Sequence, residues 1–227
     1  MLTEQQIERY SRQIVLPQLG GRGQERLLSA AIAVVGHGAT STAAATYLAA
    51  AGIGNLMIAE PSLRSDVEGL NPDCRVSPLP SPLTGSAAAD VARSCRVVLA
   101  NNLAHDVGAV LAAACVAERT PLVWGESVGS AGLIAVFAPR HGASPCYACV
   151  AAHASALLGT GDTGHPLAEA TAAFIGTLQA TEAIKSLLGL EACPAGRVLT
   201  YDALAGSLGD VTVAQRPDCP TCTVPSR

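Results

Sequence analysis

Apolar residues form a continuous run over Ala31–Val35, and this run ends at the glycine pair Gly36-His37-Gly38. Small apolar runs of this length are typical of strands buried on both faces of a parallel sheet. A largely apolar segment of helical length then extends to Gly52, and a second apolar run covers Leu56–Ala59. The pattern predicts a strand, a helix and a strand in succession, the unit from which nucleotide-binding sheets are built.

The same alternation continues along the chain. Four further strands and two helices are predicted, the strands at Arg75–Pro78, Arg96–Ala100, Pro121–Gly125 and Leu133–Phe137 and the helices at Ala87–Ser94 and His105–Glu118. The C-terminal region is predicted to hold a short helix from Val150, a long helix over Leu167–Leu188, and closing strands at Arg197–Asp202 and Val211–Gln215. Because strands alternate with helices, we expect an α/β fold: a Rossmann-like, doubly wound, mainly parallel sheet with C-terminal antiparallel strands.

The N-terminal segment carries a helix-start signal. Thr3-x-x-Gln6 is a capping-box pattern, and a second short helix is predicted over Gln24–Ala30. With 227 residues, the chain has the size of one domain. We expect a single domain over residues 1–227, made of an N-terminal helical arm (1–30), a nucleotide-binding-type core (31–137) and a C-terminal part (138–227).

Composition and charge exclude several classes of protein. Hydrophobic residues make up 49% of the chain and charged residues 14%, which excludes a disordered chain. Residues 27–59 carry no formal charge, but glycines interrupt them, and the unbroken apolar block falls short of the roughly 20 residues that a membrane span needs. No secretory signal is evident, so a cytoplasmic location is expected. The net charge is −4 and no basic cluster occurs along the sequence, so neither a membrane nor nucleic acid is an expected partner.

Four of the eight cysteines are arranged in two pairs with metal-binding spacing, Cys146-x-x-Cys149 and Cys219-x-x-Cys222. Two such pairs can present four thiolates tetrahedrally to zinc, and a shell closed by four cysteines is structural rather than catalytic. The alternative is four unrelated buried thiols. Zinc bound here would join the last part of the fold to its middle. Three other cysteines fit small hydrophobic positions, namely Cys74, Cys95 and Cys115, while Cys193 lies in a predicted loop.

The turn after the first strand is a candidate nucleotide site. Gly36 and Gly38 allow the backbone to approach a phosphate, and Ser41 stands at the third position of the glycine pattern. Glu60 follows the second strand, where a carboxylate can accept hydrogen bonds from ribose hydroxyls. The alternative is a tight strand-to-helix turn without a ligand, with Glu60 in solvent.

Six segments together resemble the ubiquitin-activating-enzyme-like superfamily in its bacterial ThiF/MoeB/HesA branch. They are Arg9-Tyr10-Ser11-Arg12-Gln13-Ile14, the strand before Gly36-His37-Gly38, Ala51-Gly52-Ile53-Gly54-Asn55-Leu56, Pro145-Cys146-Tyr147-Ala148-Cys149, the segment Ile175 to Lys185, and Cys219-x-x-Cys222. The resemblance implies binding of ATP and Mg²⁺, adenylation of the C-terminal Gly-Gly carboxylate of a ubiquitin-like sulfur carrier or a peptide, and a dimer. It also implies that Arg12 reaches the triphosphate of the partner subunit, that Glu60 contacts the ribose, and that the four paired cysteines bind zinc.

The sequence departs from that family in the residues that handle phosphate and metal. The family carries a segment with Asn, Arg, Gln and Lys after the ribose carboxylate, whereas here only ten residues separate Glu60 from Asn71-Pro72. Asn101 stands where the family has the aspartate that holds magnesium, and residues 159–169, where some relatives keep a cysteine, contain none. Losing several preorganised charged groups should abolish ordinary adenylation.

These departures leave three hypotheses open. The first is a non-adenylating scaffold or partner subunit, which forms a homodimer or joins an active homologue to which it lends Arg12. The second is a diverged ATP-dependent adenylyltransferase that uses Arg64, Asp66, Asp73 or Asp106 in place of the lost groups. The third is an enzyme that uses the glycine site for another nucleotide or a small acid.

Overall fold

A computed structural model describes residues 1–137, 145–159, 162, 164–190, 196–219 and 221. Its helices are α1 (Glu4–Arg9), α2 (Ser11–Ile14), α3 (Gly20–Leu28), α4 (Ala39–Ala51), α5 (Leu63–Leu70), α6 (Gly85–Ser94), α7 (His105–Ala117), α8 (Tyr147–Leu158) and α9 (Ala168–Leu188). Its strands are β1 (Ala31–Val35), β2 (Asn55–Ile58), β3 (Arg75–Pro78), β4 (Val97–Asn101), β5 (Leu122–Val128), β6 (Ala131–Phe137), β7 (Arg197–Asp202) and β8 (Ser207–Thr212).

The strands of the described residues form one sheet in the order β3-β2-β1-β4-β5-β6-β7-β8. Strands β1 to β5 are parallel to one another, and β6, β7 and β8 continue the sheet in antiparallel pairs. The chain winds outward from β1 in one direction and from β4 in the other, so the strand order reverses between these two strands. This arrangement confirms the predicted Rossmann-like, doubly wound, mainly parallel sheet with C-terminal antiparallel strands.

Helices cover both faces of this sheet. Helices α6, α7 and α8 bury apolar side chains on one face, and α3, α4, α5 and α9 do so on the other. Residues of β4 alternate between the two cores, with Val98 and Ala100 on the first face and Val97 and Leu99 on the second. All four are buried, which explains why β4 is a continuous apolar run in the sequence.

Helices α4 and α9 approach each other at backbone distance. Gly176 of α9 lies against the first turn of α4, where an added Cβ would strike the carbonyl oxygen of Thr40 and come within 3.1 Å of the amide nitrogen of Ala44. Alanines occupy much of the facing surface of α4, including the buried Ala45. Small residues on both sides allow the contact, so the two helices support each other closely.

Several element boundaries differ from the sequence-based expectation, and helix α5 was not predicted; the largest shifts are at α3 and β8. Helix α3 begins at Gly20 instead of Gln24, because Gly23 packs inside the helix, where an added Cβ would meet Leu19 at 2.8 Å. Strand β8 covers Ser207–Thr212 instead of Val211–Gln215, because a tight turn with Gly206 at φ +60° places Ser207 opposite Asp202.

Two other expectations concern the N-terminus and the membrane. The capping box at the start of α1 is present in both directions, with Thr3 accepting from the Gln6 amide and Gln6 accepting in return. Among the described residues, no helix combines the length and apolar character that a membrane span requires. The division into an arm, a core and a C-terminal part stays a prediction.

Candidate functional site

The glycine turn lies where the strand order reverses, between the carboxyl ends of β1 and β4. In open α/β sheets this crevice is the usual place for a ligand. Gly36 has φ +125°, and an added Cβ would collide with the backbone of Asn101 at the end of β4, so glycine is required by both conformation and space. Gly38 has φ +79°, caps the 13-residue helix α4, and has open space where a Cβ would point. A helix N-terminus therefore faces the crevice through an uncovered turn.

Glu60 lies beside this turn, two residues after β2. Its Oε2 accepts a long hydrogen bond of 3.4 Å from the Gly38 amide, and its Oε1 accepts from the Ser62 hydroxyl at 2.8 Å. The fold thus brings Gly36, Gly38 and Glu60 together as the sequence predicts. A ribose hydroxyl could take the place of the long Gly38 contact, but the binding role of these residues stays a prediction.

Asn101 occupies the other side of the crevice and is fully buried. Its amide nitrogen donates to the hydroxyl of Ser41, also fully buried, at 2.9 Å. Its carbonyl oxygen and the Thr40 hydroxyl have no hydrogen-bond partner among the described residues. The Ser41 hydroxyl accepts this bond, which does not use its own O–H donor, and its predicted contact with a ligand stays a prediction.

A second carboxylate lies at the same edge of the sheet, near the end of β5. Burial raises the pKa of Glu126, and the electrostatic influence of the nearby His105 partly opposes that rise. The His105 ring also stacks on Tyr147, with centroids 6.0 Å apart, and Trp124 meets Tyr147 edge to face. No motif in the sequence predicts this cluster of Glu126, His105, Tyr147 and Trp124, because its members come from three separate elements, β5, α7 and α8.

The arginine-containing arm is held at the opposite edge of the sheet. Asp73, just before β3, accepts hydrogen bonds from Gln6 at 3.1 Å and from the Tyr10 hydroxyl at 3.0 Å, and it forms an ion pair with Arg9. Asn71 donates to Tyr10 at 2.9 Å and to the Ala49 carbonyl at the C-terminal end of α4. We call these residues, Gln6, Arg9, Tyr10, Asn71 and Asp73, the arm clamp.

The sequence missed the arm clamp because its two halves lie more than 60 positions apart. Burial raises the pKa of the Asp73 carboxyl, but hydrogen bonds from Gln6 and Tyr10 and the contact with Arg9 outweigh it, so the net shift is downward. Asp73 is therefore committed to holding the arm, which removes it from the candidates for a substitute phosphate or metal group. Arg64, another candidate, pairs with Glu68 on α5.

Arg12 follows the clamp in α2, is exposed, and makes no hydrogen bond or ion pair with any described residue. The clamp touches the C-terminal end of α4, whereas the glycine turn lies at its N-terminal end. A 13-residue helix is about 20 Å long, farther than an arginine side chain can extend. Arg12 therefore lies away from the glycine turn of its own chain.

Three cysteines of the two predicted pairs meet in space. Cys146 caps the start of α8, and its sulfur lies 3.9 Å from that of Cys149 and 3.5 Å from that of Cys219. Tetrahedral zinc with Zn–S bonds of about 2.3 Å places sulfurs about 3.8 Å apart, so the cluster has the right size. These three residues could hold a metal ion. The fourth predicted ligand, Cys222, lies outside the described residues, as does Cys193.

The remaining described cysteines are buried and belong to the core, as their positions in the sequence indicate. Burial raises the pKa of Cys74 and Cys95 to about 11 and that of Cys115 to about 12. Thiols with such pKa values are protonated at neutral pH and are poor nucleophiles.

Comparison with known proteins places this geometry in context. The ThiF family model matches residues 10–62 and 60–221. The chain is 32% identical over 251 positions to the sulfur carrier protein adenylyltransferase of Thermus thermophilus, covering 97% of this chain and 92% of that protein. It is 31% identical over 256 positions to the sulfur carrier protein ThiS adenylyltransferase of Escherichia coli, covering 97% of both chains.

The adenylyltransferase and sulfurtransferase MOCS3 of Drosophila yakuba is 33% identical over 251 positions, which include 98% of this chain but 54% of MOCS3. The chain thus spans about half the length of that relative. Among solved structures, Escherichia coli MccB with ATP superimposes with a TM-score of 0.74 over 94% of this chain and 74% of MccB, at 15% identity. At that identity the likeness shows the fold alone.

Proposed function

Because the chain belongs to the ThiF family, we propose that it handles the C-terminus of a ubiquitin-like sulfur carrier or peptide as a partner subunit that does not form adenylates by itself. The relatives reported above include sulfur carrier protein adenylyltransferases, which supports the substrate class. The observation that carries the second half of the proposal is Asn101, a neutral and fully buried amide where the family resemblance places the magnesium-binding aspartate.

The residues of the crevice do not fit ATP with its Mg²⁺. Asn101 bonds to Ser41, and its free oxygen is neutral, so the end of β4 supplies no charge to hold a divalent cation. Asp106 lies in the first turn of α7 and is exposed. The chain's one lysine, Lys185, pairs with Glu182 on α9 at 2.7 Å. Among the described residues, a triphosphate in this crevice would face carboxylates without the compensating charges that phosphoryl chemistry requires.

The missing segment after Glu60 points the same way. The structure fills the interval before Asn71 with the short helix α5, so no room remains for the family's phosphate-binding residues. The two parts of the family match meet at residues 60–62, directly at this position. The alignment to the Thermus thermophilus protein spans 251 positions, although 97% of this chain is only about 220 residues. The relative therefore has roughly 30 positions with no counterpart here, which supports a deletion.

The position of Arg12 supports a role in a dimer. It lies on an arm clamped about 20 Å from the glycine turn of its own chain, and it makes no polar contact with the described residues. Any contact between Arg12 and a triphosphate therefore requires a second chain. This chain would either pair with itself or supply Arg12 to an active homologue.

A structural zinc ion belongs to the same proposal. Cys146, Cys149 and Cys219 present sulfurs at the spacing of a tetrahedral site, and Cys222 would complete it. When bound, zinc would add a closed cross-link between the start of α8 and the segment after β8.

Exchange of labelled pyrophosphate into ATP tests the proposal directly. The chain is assayed with Mg²⁺ and a candidate carrier, first alone and then with a complete ThiF-family homologue from the same genome. We expect no exchange above background from the chain alone and a rate with the homologue that exceeds that of the homologue by itself. Arg12→Ala should remove this increase, whereas Arg22→Ala, which changes another exposed arginine of the arm, should leave it intact.

A diverged adenylyltransferase is the second candidate. The retained Gly36 and Gly38 turn and the neighbouring Glu60 favour it, because they preserve the parts of the site that would face a nucleotide. Carrier-dependent exchange by the chain alone, abolished by Glu60→Ala, would establish this second function and refute the first.

A further inference from the structure

An arginine-lined cavity opens at the edge of the sheet opposite the glycine turn. Its volume is about 840 Å³, and four arginines line it: Arg26, Arg93, Arg96 and Arg119. They come from the last turn of α3, the last turn of α6, the residue before β4 and the second residue after α7. No two of them are adjacent in sequence, so the basic cluster that the sequence lacks is created by the fold. We call this feature the arginine cavity.

Three of these guanidinium groups are uncommitted. Arg26, Arg96 and Arg119 form no side-chain hydrogen bond or ion pair with the residues that the structure describes. Arg93 instead pairs with Glu118 at 2.7 Å and with Asp90 at 2.9 Å. In a chain of net charge −4, three unpaired cations around one cavity form a local excess of positive charge.

Arg119 occupies a backbone position that favours glycine. It has φ +56° and follows the C-cap of α7, where its amide donates to the Val116 carbonyl at 3.2 Å. The next amide, that of Thr120, donates to the Cys115 carbonyl at 2.8 Å, which completes a Schellman-type ending. An arginine at this position carries a conformational cost that glycine would not. This conformational cost supports a functional role for the Arg119 side chain.

Helix dipoles explain only part of the cluster. Helices α3, α6 and α7 end at the cavity, and a basic residue near a helix C-terminus gains a modest electrostatic stabilisation. Arg96 lies between α6 and β4, outside the described helices, and its side chain caps none of them. A lysine, or a basic residue at an unstrained backbone position, would gain the same stabilisation from the helix dipole. The dipole therefore does not explain why an arginine occupies the left-handed conformation at position 119.

We propose that the arginine cavity binds a compact small-molecule anion with three or more negative charges, of the pyrophosphate, tripolyphosphate or polycarboxylate type. Guanidinium groups bind such ligands through paired, charge-assisted hydrogen bonds. The cavity has the volume of a small-molecule site, and the hydroxyl-bearing residues Ser29, Ser94 and Thr120 also line it. None of the described residues that line it is aromatic, so they offer no platform on which a nucleobase would stack.

Calorimetric titration of the zinc-loaded chain with pyrophosphate, tripolyphosphate and citrate tests the proposal. The buffer contains about physiological salt and no added divalent cation. We expect 1:1 binding that weakens at least about tenfold in Arg96→Gln and in Arg119→Gly. Arg75→Gln is the matched control, because Arg75 also lies at this edge of the sheet but outside the cavity. It should leave the affinity unchanged.

Arg119→Gly separates ligand loss from misfolding. Glycine relieves the left-handed backbone, so the melting temperature should stay equal or rise while the affinity falls. If this variant nevertheless fails to fold, Arg96→Gln decides the outcome. The proposal is overturned if no anion binds at millimolar concentration, if Arg75→Gln weakens binding equally, or if binding survives both cavity variants and therefore belongs to the glycine turn. Tight binding of an oligonucleotide or polyglutamate without pyrophosphate binding would also refute it.

Discussion

Replacing Tyr10 with phenylalanine tests the arm clamp by removing a single oxygen atom, that of the Tyr10 hydroxyl. Tyr10 is 1% exposed, and its hydroxyl donates to Asp73 at 3.0 Å while accepting from Asn71 at 2.9 Å. Phenylalanine keeps the ring and its packing. The substitution therefore removes two hydrogen bonds and little else.

The size of the effect follows from what each partner retains. Asp73 keeps its contacts with Gln6 and Arg9, and Asn71 keeps its bond to the Ala49 carbonyl, so neither is stranded. A hydrogen bond to a charged acceptor contributes about 1.5–3 kcal/mol and a neutral one about 1 kcal/mol. The retained contacts offset part of this sum. We expect Tyr10→Phe to lower the free energy of unfolding by about 2–3 kcal/mol.

Urea denaturation monitored by circular dichroism measures this loss, and Tyr47→Phe serves as the control because Tyr47 is 53% exposed. The control should change the free energy of unfolding by less than about 0.5 kcal/mol. A loss below about 0.5 kcal/mol in Tyr10→Phe, or an equal loss in the control, would show that the clamp does not stabilise the arm.

Measuring the free energy of unfolding as the pH is lowered provides a second test of the same variant. The Asp73 pKa is lower in the folded chain than in the unfolded one, so its carboxylate stabilises the fold above the unfolded pKa of about 4. That contribution disappears as the pH falls through the folded pKa. Tyr10→Phe removes one of the bonds that lower this pKa, so its acid-induced loss of stability should be smaller than in the parent chain and should end at a higher pH.

Three further predictions concern charge, metal and packing. Asp73→Asn should lower stability at pH 7 and reduce the loss of stability between about pH 5 and pH 2, measured by urea denaturation across that range. Metal analysis should find about one zinc per purified chain and almost none in Cys219→Ser, whereas Cys95→Ser should keep its zinc because that thiol is outside the cluster; equal zinc in both variants would disprove the site. Gly176→Ala should cost about 1–3 kcal/mol because its Cβ meets helix backbone, whereas Gly69→Ala on α5, with open space, should be neutral or stabilising by thermal melting; equal effects would contradict close α4–α9 packing.

The sequence predicted the central fold well because that fold depends on local patterns. Buried strands such as β1 and β4 must be apolar on both faces, and glycine follows β1 because the backbone of Asn101 leaves no room for a side chain. The strand boundaries that failed, at β8, depend on a turn whose register is set by Gly206. That register is a property of the paired strands and is only weakly encoded in either one.

The candidate sites were predictable only where a motif reports them. Cys146-x-x-Cys149 carries its own spacing signal, and Cys219 joins it in the structure. The arm clamp and the arginine cavity have no such signal, because each collects single residues from elements that the topology brings together. The neutral Asn101 was visible in the sequence, but its bond to Ser41 and its complete burial were not.

The contact between Gly176 and Thr40 fixes the first turn of α4, the same turn that carries the amides facing the crevice. Those amides are held in place before any ligand binds. An anion that binds there would therefore lose little binding free energy to ordering of the chain. Hydrogen exchange of the Thr42 amide, which donates to the Gly38 carbonyl at 3.0 Å at the end of this turn, should consequently be slow and should require opening of the α4–α9 pair. Such a scaffold can retain its shape after the charged groups around it have been replaced.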